Sequence, residues 1–140
     1  MMRIGIYGGS FNPPHRLHKK IATFLLENDY LDKVIFVPTG NRYPKGELLE
    51  SQYRCHMVEN MIKDSKNMEL STYELKNTLT YTYQTLNYFQ EKYPEDEIYF
   101  ITGADNIKQI RTWKNYTYIL ENFKIYVLPR ENQNINKVLN

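Results

Sequence analysis

The chain has 140 residues, of which 41% are hydrophobic and 24% charged, and its formal net charge is +2. This length supports one hydrophobic core, and the composition excludes a disordered, collagen-like or coiled-coil chain. A weak positive charge without a block of lysine and arginine argues against nucleic acid as a partner and is compatible with anionic small molecules. No apolar run approaches the roughly 18 residues that cross a bilayer, so we expect no membrane partner. The single cysteine, Cys55, excludes an internal disulfide framework and favours a cytoplasmic location.

Short apolar runs rich in β-branched and aromatic residues recur along the chain and alternate with helical patterns. The runs at residues 4–7, 34–37, 98–102 and 125–128 are typical of strands buried on both faces, and a weaker strand is predicted at 68–72. Between them, apolar residues at helical spacing predict three helices. Their stripes are Ile21, Phe24 and Leu25; Leu49, Tyr53, Met57 and Met61; and Tyr83, Leu86, Phe89 and Tyr93. The alternation predicts an α/β fold with a Rossmann-like, doubly wound parallel sheet.

Polar, turn-rich segments follow four of the predicted strands, at residues 8–15, 38–45, 102–110 and 129–132. In a doubly wound sheet, ligands bind beyond the carboxyl ends of the strands, near the point where the strand order reverses. The convergence of four such segments predicts a binding cleft at that edge of the sheet.

The first of these segments, "GGSFNPPH", leads into a predicted helix that carries His15 and His18 in its first turn. Gly8 and Gly9 let the backbone turn sharply and approach a ligand closely. A helix N-terminus attracts anions, and two histidines three residues apart lie on one face of the helix. The segment therefore predicts a phosphate cradle whose imidazoles donate hydrogen bonds to phosphate oxygens.

Two other interpretations of the histidine pair stay open from the residues alone. The first is an ordinary solvated helix surface. The second is a zinc site completed by Cys55 or His56, although none of the usual Cys/His spacings is present.

The segment "GGSFNPPHRLHKKIA" resembles the signature of the HxGH nucleotidyltransferase superfamily, and most closely that of the nicotinate-nucleotide adenylyltransferases. Further segments resemble that family in the same order, between residues 3 and 130. They are "VIFVPTGNRYPK", "YRCHMVENMI" (with Arg54 and Met57), "YTYQTL", "FITGADNIKQIRTWKNY" and "VLPRE".

The resemblance implies an adenylyltransferase of NAD biosynthesis that joins nicotinate mononucleotide to ATP, giving deamido-NAD and pyrophosphate, with Mg²⁺ accompanying ATP. It implies that His15 and His18 are catalytic and stabilise phosphate oxygens. The implied contacts to ATP and its phosphates are Gly8, Gly9, Ser10, Phe11, Gly103, Asp105 and Arg130. The implied contacts to the acceptor are Lys45, Thr82, Thr85 and Trp113, and no side chain is implied as a metal ligand.

Several of these residues also have purely structural interpretations. Asp105 can cap a helix N-terminus. Trp113 can be a core residue packed with nearby isoleucines, Lys45 a solvated loop lysine, and Arg130 a cap of the sheet edge.

The sequence departs from the family pattern in two places. Leu17 stands where the family has glycine between the two histidines, so its side chain either packs into the core or weakens nucleotide binding. The family also carries a late Ser-Ser/Thr-x-x-Ile-Arg-type motif that binds ATP phosphates, and this sequence stops at Asn140 without it. We therefore expect residues 1–140 to form a single nucleotidyltransferase-like domain that is either naturally short or truncated at its C-terminus, and the polar tail favours truncation.

These departures keep alternative functions open. One is a nucleotidyltransferase for another acceptor, such as phosphopantetheine, and another is a degenerate nucleotide-binding module without catalysis. The sequence does not decide the oligomeric state, but the resemblance is compatible with a homodimer.

Overall fold

The computed structural model of the chain describes residues 1–11, 14–39, 51–76 and 80–128. The strands are β1 (Arg3–Gly9), β2 (Lys33–Pro38), β3 (Met68–Leu70), β4 (Glu97–Gly103) and β5 (Lys124–Leu128). The helices are α1 (Arg16–Glu27), α2 (Ser51–Ile62), α3 (Tyr73–Lys76), α4 (Thr82–Lys92), α5 (Ala104–Ile107) and α6 (Tyr116–Asn122), with a 3-10 turn at Ile110–Thr112. In these parts of the chain, no helix is long and apolar enough to cross a membrane.

The five strands form one sheet in the order β3-β2-β1-β4-β5, and all four pairings are parallel. The predicted doubly wound, Rossmann-like sheet is confirmed. Ile6 in the central strand pairs with Ile35 of β2 on one side and with Phe100 of β4 on the other. The strand order reverses at β1, because the chain runs outward from it first towards β3 and then towards β5. The carboxyl ends of β1 and β4 therefore flank the crevice where ligands bind in such folds.

Alternating side chains of the sheet form two clusters of buried residues, one on each face, where the chain length alone predicted one core. Ile4 and Ile6 of β1 point into the core covered by α4 and α6, with Leu86 and Phe89 from α4. Tyr7 points into the other core, which α1 and α2 cover. The strands are continuously apolar because both faces are covered, as the sequence predicted.

Helix α2 buries a different face from the one predicted. Tyr53 of the predicted stripe is 55% exposed, and Leu49 lies outside the described residues. The buried residues are instead Arg54, Cys55, Val58 and Ile62. The prediction counted apolar residues only, whereas α2 turns an arginine inward because its guanidinium finds carbonyl partners at the strand ends. Met61, from the predicted stripe, packs at the margin of that core.

The other two predicted helices keep their predicted faces. In α1, which begins at Arg16, Ile21 and Leu25 are buried and Phe24 packs beside them. Tyr83 in α4 and Tyr93, which directly follows α4, pack against the core that contains Leu86 and Phe89. These tyrosines are structural residues at the rim of the core. The weaker strand predicted at 68–72 is confirmed but ends at Leu70.

Candidate active site

A cleft of about 500 Å³ opens beyond the carboxyl ends of β1 and β4, where the sequence predicted a binding site. Its lining divides into two walls. The β1 wall consists of Tyr7, Gly8, Gly9, Ser10, Phe11, His15, Leu17 and His18. The β4 wall consists of Glu74, Thr82, Phe100, Gly103, Asn106 and Trp113. Thr39, Ile21 and Leu128 complete the lining.

The backbone of the β1 wall turns sharply after the strand. Phe11 has a φ of 49°, in the left-handed region that a bulky side chain rarely adopts. Its ring is nevertheless buried, 2% exposed, and lies against the space beside Gly9, where a Cβ atom would come 3.4 Å from the ring. At Gly8 a Cβ would lie 3.3 Å from the Phe100 ring. The burial of Phe11 thus stabilises a strained turn that presents two side-chain-free residues to the cleft.

The two predicted catalytic histidines lie together on the β1 wall. The backbone N–H of His15 donates a hydrogen bond to Nδ1 of His18 at 2.7 Å, and the imidazole rings stack with centroids 5.6 Å apart. Because Nδ1 of His18 accepts, the proton of the neutral ring is at Nε2, which makes that nitrogen the hydrogen-bond donor.

Two buried aromatic side chains orient the His18 ring. Phe11 meets it edge to face at a centroid distance of 5.0 Å, and Tyr7 does so at 5.8 Å. Burial raises the pKa of the Tyr7 hydroxyl, so this side chain stays neutral across the physiological range. His18 is thereby held in one orientation on a neutral, aromatic support.

Leu17 packs as the first of the two sequence interpretations expects, whereas its weakening of nucleotide binding stays a prediction. Its side chain is half-buried and packs against the core covered by α1 and α2. It also lines the cleft between the two histidines. A leucine is therefore accommodated at this position by packing, while still contributing to the β1 wall.

Part of the β4 wall is formed by the end of β4 and by the segment that follows it. Gly103 has an ordinary φ of −78°, and apart from its chain neighbours no atom of the described residues lies within 4 Å of the position that its Cβ would take. Trp113 lines the cleft and also packs on the core, edge to face with Phe100 at 6.0 Å. Asp105 is exposed and is not a lining residue, whereas its neighbour Asn106 is. Gly103 holds the N-cap position of α5, so the interpretation of Asp105 as an N-cap is wrong.

The two predicted acceptor threonines occupy different environments. Thr82 lines the cleft at the start of α4. Thr85 is 2% exposed, and its hydroxyl donates a 2.7 Å hydrogen bond to the buried carboxylate of Glu74. Glu74 itself lines the cleft, so Thr85 lies behind the wall and Glu74 forms its surface.

The predicted contacts Lys45 and Arg130 lie outside the described residues. Within residues 1–11, 14–39, 51–76 and 80–128, no three His, Cys, Asp or Glu side chains gather in a way that could hold a metal ion. The zinc alternative for the histidine pair therefore has no ligand set in that part of the chain. For the same reason, the described cleft offers Mg²⁺ no carboxylate cluster.

Comparison with known proteins agrees with this geometry. A family model described as cytidylyltransferase-like matches residues 6–139. A protein of Clostridium novyi named "probable nicotinate-nucleotide adenylyltransferase" is 39% identical over 142 residues, which cover 99% of this chain and 71% of that protein. The chain belongs to the nicotinate-nucleotide adenylyltransferases of the cytidylyltransferase-like family. It spans 61–71% of the length of the first curated relatives that it matches.

Solved structures of adenylyltransferases share the fold. A candidate nicotinate-nucleotide adenylyltransferase from Vibrio parahaemolyticus has a TM-score of 0.78 and 29% identity, covering 94% of this chain and 76% of that one. The nicotinic acid mononucleotide adenylyltransferase of Plasmodium falciparum, solved with NaAD, has a TM-score of 0.73 and 22% identity, covering 96% and 78%.

For this adenylyltransferase family member, the sequence did not predict several of the residues that line the cleft, among them Thr39, Asn106 and Glu74. Thr39 follows β2 and belongs to the polar segment 38–45. The sequence therefore indicated that this residue lies near the cleft, although it was not named as a contact. Asn106 was not predicted, because the carboxylate of its neighbour Asp105 was chosen as the ligand contact in this segment. Glu74 carries no signal in the sequence, because only the packing of α3 against α4 brings it to the cleft.

Proposed function

We propose that this chain transfers the adenylyl group of ATP to nicotinate mononucleotide, forming deamido-NAD and pyrophosphate. The observation that carries the proposal is the arrangement of His15 and His18 on the β1 wall, where the backbone bond to Nδ1 leaves Nε2 of His18 as the donor. Family membership and the overlap of the cleft with the switch point of the sheet support it.

In the proposed reaction, a 5′-phosphate oxygen of the acceptor attacks the α-phosphorus of ATP. The bond from that phosphorus to the bridging oxygen of the β-phosphate breaks, and pyrophosphate leaves. His18 donates from Nε2 to a non-bridging oxygen as negative charge grows there, and the bare backbone at Gly8 and Gly9 lets the phosphates approach. No covalent intermediate with the chain is needed, so positioning and charge stabilisation supply the catalysis.

Magnesium enters this proposal as part of the substrate, MgATP. The described cleft has no carboxylate cluster for the ion, and Mg²⁺ in nucleotide sites is commonly held in large part by substrate phosphates and water. The chain's own residues then need only to bind the phosphates of the complex.

The acceptor is proposed to bind the β4 wall. Trp113 offers a flat aromatic surface for a pyridine ring, and Thr82 offers a hydroxyl beside it. Gly103 leaves open space for the adenosine part of ATP. The roles of Asp105, Lys45, Arg130 and Thr85 at the substrates stay predictions, as do a cytoplasmic location and a homodimer.

Release of pyrophosphate from MgATP tests the proposed function directly. The purified chain is incubated with nicotinate mononucleotide, nicotinamide mononucleotide or phosphopantetheine, with His18→Ala as the catalytic control. Turnover on the nicotinate substrate that disappears in the control is the expected result. Turnover only with phosphopantetheine would identify a different acceptor.

A binding measurement distinguishes the enzyme from a non-catalytic module. The chain contains one tryptophan, Trp113, which lines the cleft, so its fluorescence responds to a ligand bound there. Quenching by nicotinate mononucleotide, together with an ATP titration, is expected to be saturable. Saturable binding without turnover on any acceptor would favour the degenerate module over the enzyme.

A further inference from the structure

A buried threonine hydroxyl in the cleft has no hydrogen-bond partner within the described part of the chain. Thr39 is 7% exposed, lines the cleft beyond the end of β2, and its Oγ1 is unsatisfied. A buried hydroxyl without a partner destabilises a fold, so native proteins rarely keep one unless something else satisfies it. At the surface of a ligand cleft, either ordered water or an atom of a bound ligand can satisfy such a hydroxyl.

The backbone of Thr39 is held on both sides. Its N–H donates to the carbonyl oxygen of Gly9 at 2.9 Å, which continues the pairing of β1 with β2 past the strand ends. Its own carbonyl oxygen accepts a 2.6 Å hydrogen bond from Nη1 of Arg54. Both backbone groups are therefore engaged, and only the hydroxyl remains for a ligand.

Arg54 joins the two strand-end segments that Thr39 and Ser10 begin. This arginine is 2% exposed, and the same Nη1 also donates to the carbonyl oxygen of Ser10 at 2.8 Å. Nη2 lies 3.4 Å from Oγ of Ser51, at the start of α2. From behind the cleft, the guanidinium thus fixes the positions of Ser10 and Thr39 relative to each other. Its positive charge lies directly behind these two lining residues, because it is hydrogen-bonded to both of them.

We propose that Thr39 contacts a phosphate group of a bound nucleotide through its hydroxyl, and that Arg54 is the positioning residue that holds Thr39 and Ser10 for that contact. A hydroxyl donor beside the bare backbone of Gly9, with a cation behind it, matches the chemistry of a phosphate oxygen. Both substrates of the proposed function carry phosphates. The inference therefore rests on the proposed function for which nucleotide binds, but the recognition of a phosphate group does not depend on it.

The test uses two isosteric variants of the full chain, Thr39→Val and Thr102→Val. Thr102 is 0% exposed, its Oγ1 is also without a partner among the described residues, and it is not a lining residue of the cleft. Each substitution removes one buried hydroxyl that has no hydrogen-bond partner among the described residues. The Tm of each variant is therefore expected to equal or exceed that of the wild type. Only Thr39→Val is expected to weaken ligand binding, by about fivefold or more, in a titration followed by Trp113 fluorescence.

Two ligands identify the source of the phosphate. The titrations use α,β-methylene-ATP and, separately, nicotinate mononucleotide. A loss for the ATP analogue alone assigns Thr39 to the ATP phosphates, and a loss for the mononucleotide alone assigns it to the acceptor phosphate. Equal affinities of Thr39→Val and Thr102→Val for both ligands would overturn the proposal, as would no saturable binding of either ligand to the wild type.

The positioning role of Arg54 has its own readout. Native-state hydrogen exchange of the Thr39 amide, which bonds to Gly9, is expected to be at least tenfold faster in Arg54→Met, while the Ile35 amide in the middle of β2 changes much less. Arg54→Lys, which retains a donor and the charge, is expected to recover part of the protection and of the affinity. A core variant of the same helix, Val58→Ala, controls for general destabilisation.

An unchanged Thr39 exchange rate in Arg54→Met, relative to Val58→Ala at equal loss of Tm, would overturn the positioning role. These measurements need no turnover. A wild-type chain that binds both ligands but releases no pyrophosphate would therefore refute the proposed function while leaving this inference to be decided by the valine pair.

Discussion

The two walls of the cleft differ in how firmly the protein holds them. On the β1 wall, Phe11 is buried despite a positive φ, His18 is held by two aromatic rings and a backbone hydrogen bond, and Arg54 ties the wall to β2 from behind. On the β4 wall, no described residue beyond the chain neighbours comes within 4 Å of a Cβ at Gly103, and Asn106 is exposed.

This difference separates two tasks of a group-transfer site. Charge stabilisation requires hydrogen-bond donors that are fixed within fractions of an ångström. Such donors lower the energy of the transition state most when they do not have to reorganise during the reaction. Accommodating a substrate requires space and a few flat or polar surfaces. The β1 wall has the first character and the β4 wall the second, so substitutions in the two walls should have different signatures.

The largest expected effect is the loss of the fixed donor on the β1 wall. In His18→Ala, kcat for pyrophosphate release should fall about 100- to 1000-fold, as is typical when one preorganised donor is removed. Binding of α,β-methylene-ATP should change much less, because the donor acts mainly on charge that grows in the transition state. Isothermal titration and a steady-state assay measure the two quantities. A fall of less than tenfold in kcat would contradict the assignment of catalysis to this wall.

Leu17→Gly tests whether the β1 wall requires the leucine for packing. The free energy of unfolding should fall by about 3 kcal/mol, from lost core contacts and from glycine in a helix. Leu17→Ala, which keeps the helix propensity, should lose about 2 kcal/mol. Because the side chain packs against the core, the KM for ATP should stay within about threefold of the wild type in both. A tenfold lower KM in the glycine variant would instead show that Leu17 obstructs the nucleotide.

Behind the β4 wall, Thr85→Val should act on stability. It removes the hydroxyl that donates to the carboxylate of Glu74, and the loss should be about 2 kcal/mol in urea unfolding. Thr82→Val, at the cleft surface, should change stability by less than about 0.5 kcal/mol and should raise the KM for the acceptor. The reverse pattern would mean that Thr85 is the substrate contact and Thr82 the structural residue.

Gly103→Ala, on the β4 wall, should weaken the binding of substrate with little effect on stability. Its backbone is unstrained, and among the described residues only chain neighbours come within 4 Å of the new methyl group, so the loss of stability should be below about 1 kcal/mol, from the N-cap position alone. The methyl group should enter the space proposed for ATP and raise its KM by about tenfold. Gly5→Ala is the matched opposite, because its Cβ would lie 2.5 Å from Leu31 in the core. That variant should lose stability and, where it folds, keep its KM.

The smallest effect is expected at the far end of β1, which provides a baseline. Hydrogen bonds from Arg3 lower the pKa of the Asp32 carboxyl, so this pair stabilises the fold above the ordinary carboxyl pKa and loses its effect as pH falls through the lowered value. The Tm of Asp32→Asn should be slightly below that of the wild type from about pH 8 to pH 5, and the gap should close below about pH 4. Turnover should be unchanged. A gap that widens in acid would contradict the pairing.

Local periodicity predicted the sheet and most of the helix faces, because buried strands and amphipathic helices leave their pattern in adjacent residues. The periodicity gave the wrong face for α2, where Arg54 turns inward. A charged residue is predicted to face solvent unless its hydrogen-bond partners are known. Those partners, Ser10 and Thr39, are 44 and 15 residues away in the chain. Short α3, α5 and α6 were also not predicted, since four to seven residues carry too little periodicity.

The sequence by itself determined the order of the five strands and of the three longest helices along the chain, the glycine turn after β1, and the closeness of His15 and His18 at the start of α1. Each of these depends on residues that are close in the chain, where spacing fixes geometry. The tertiary structure alone decided that Thr85 lies behind Glu74, that Thr39 presents an unsatisfied hydroxyl and that Arg54 supports it. Parallel pairing brings together strand ends that are separated by whole βαβ units, and no local pattern encodes which side chains then meet.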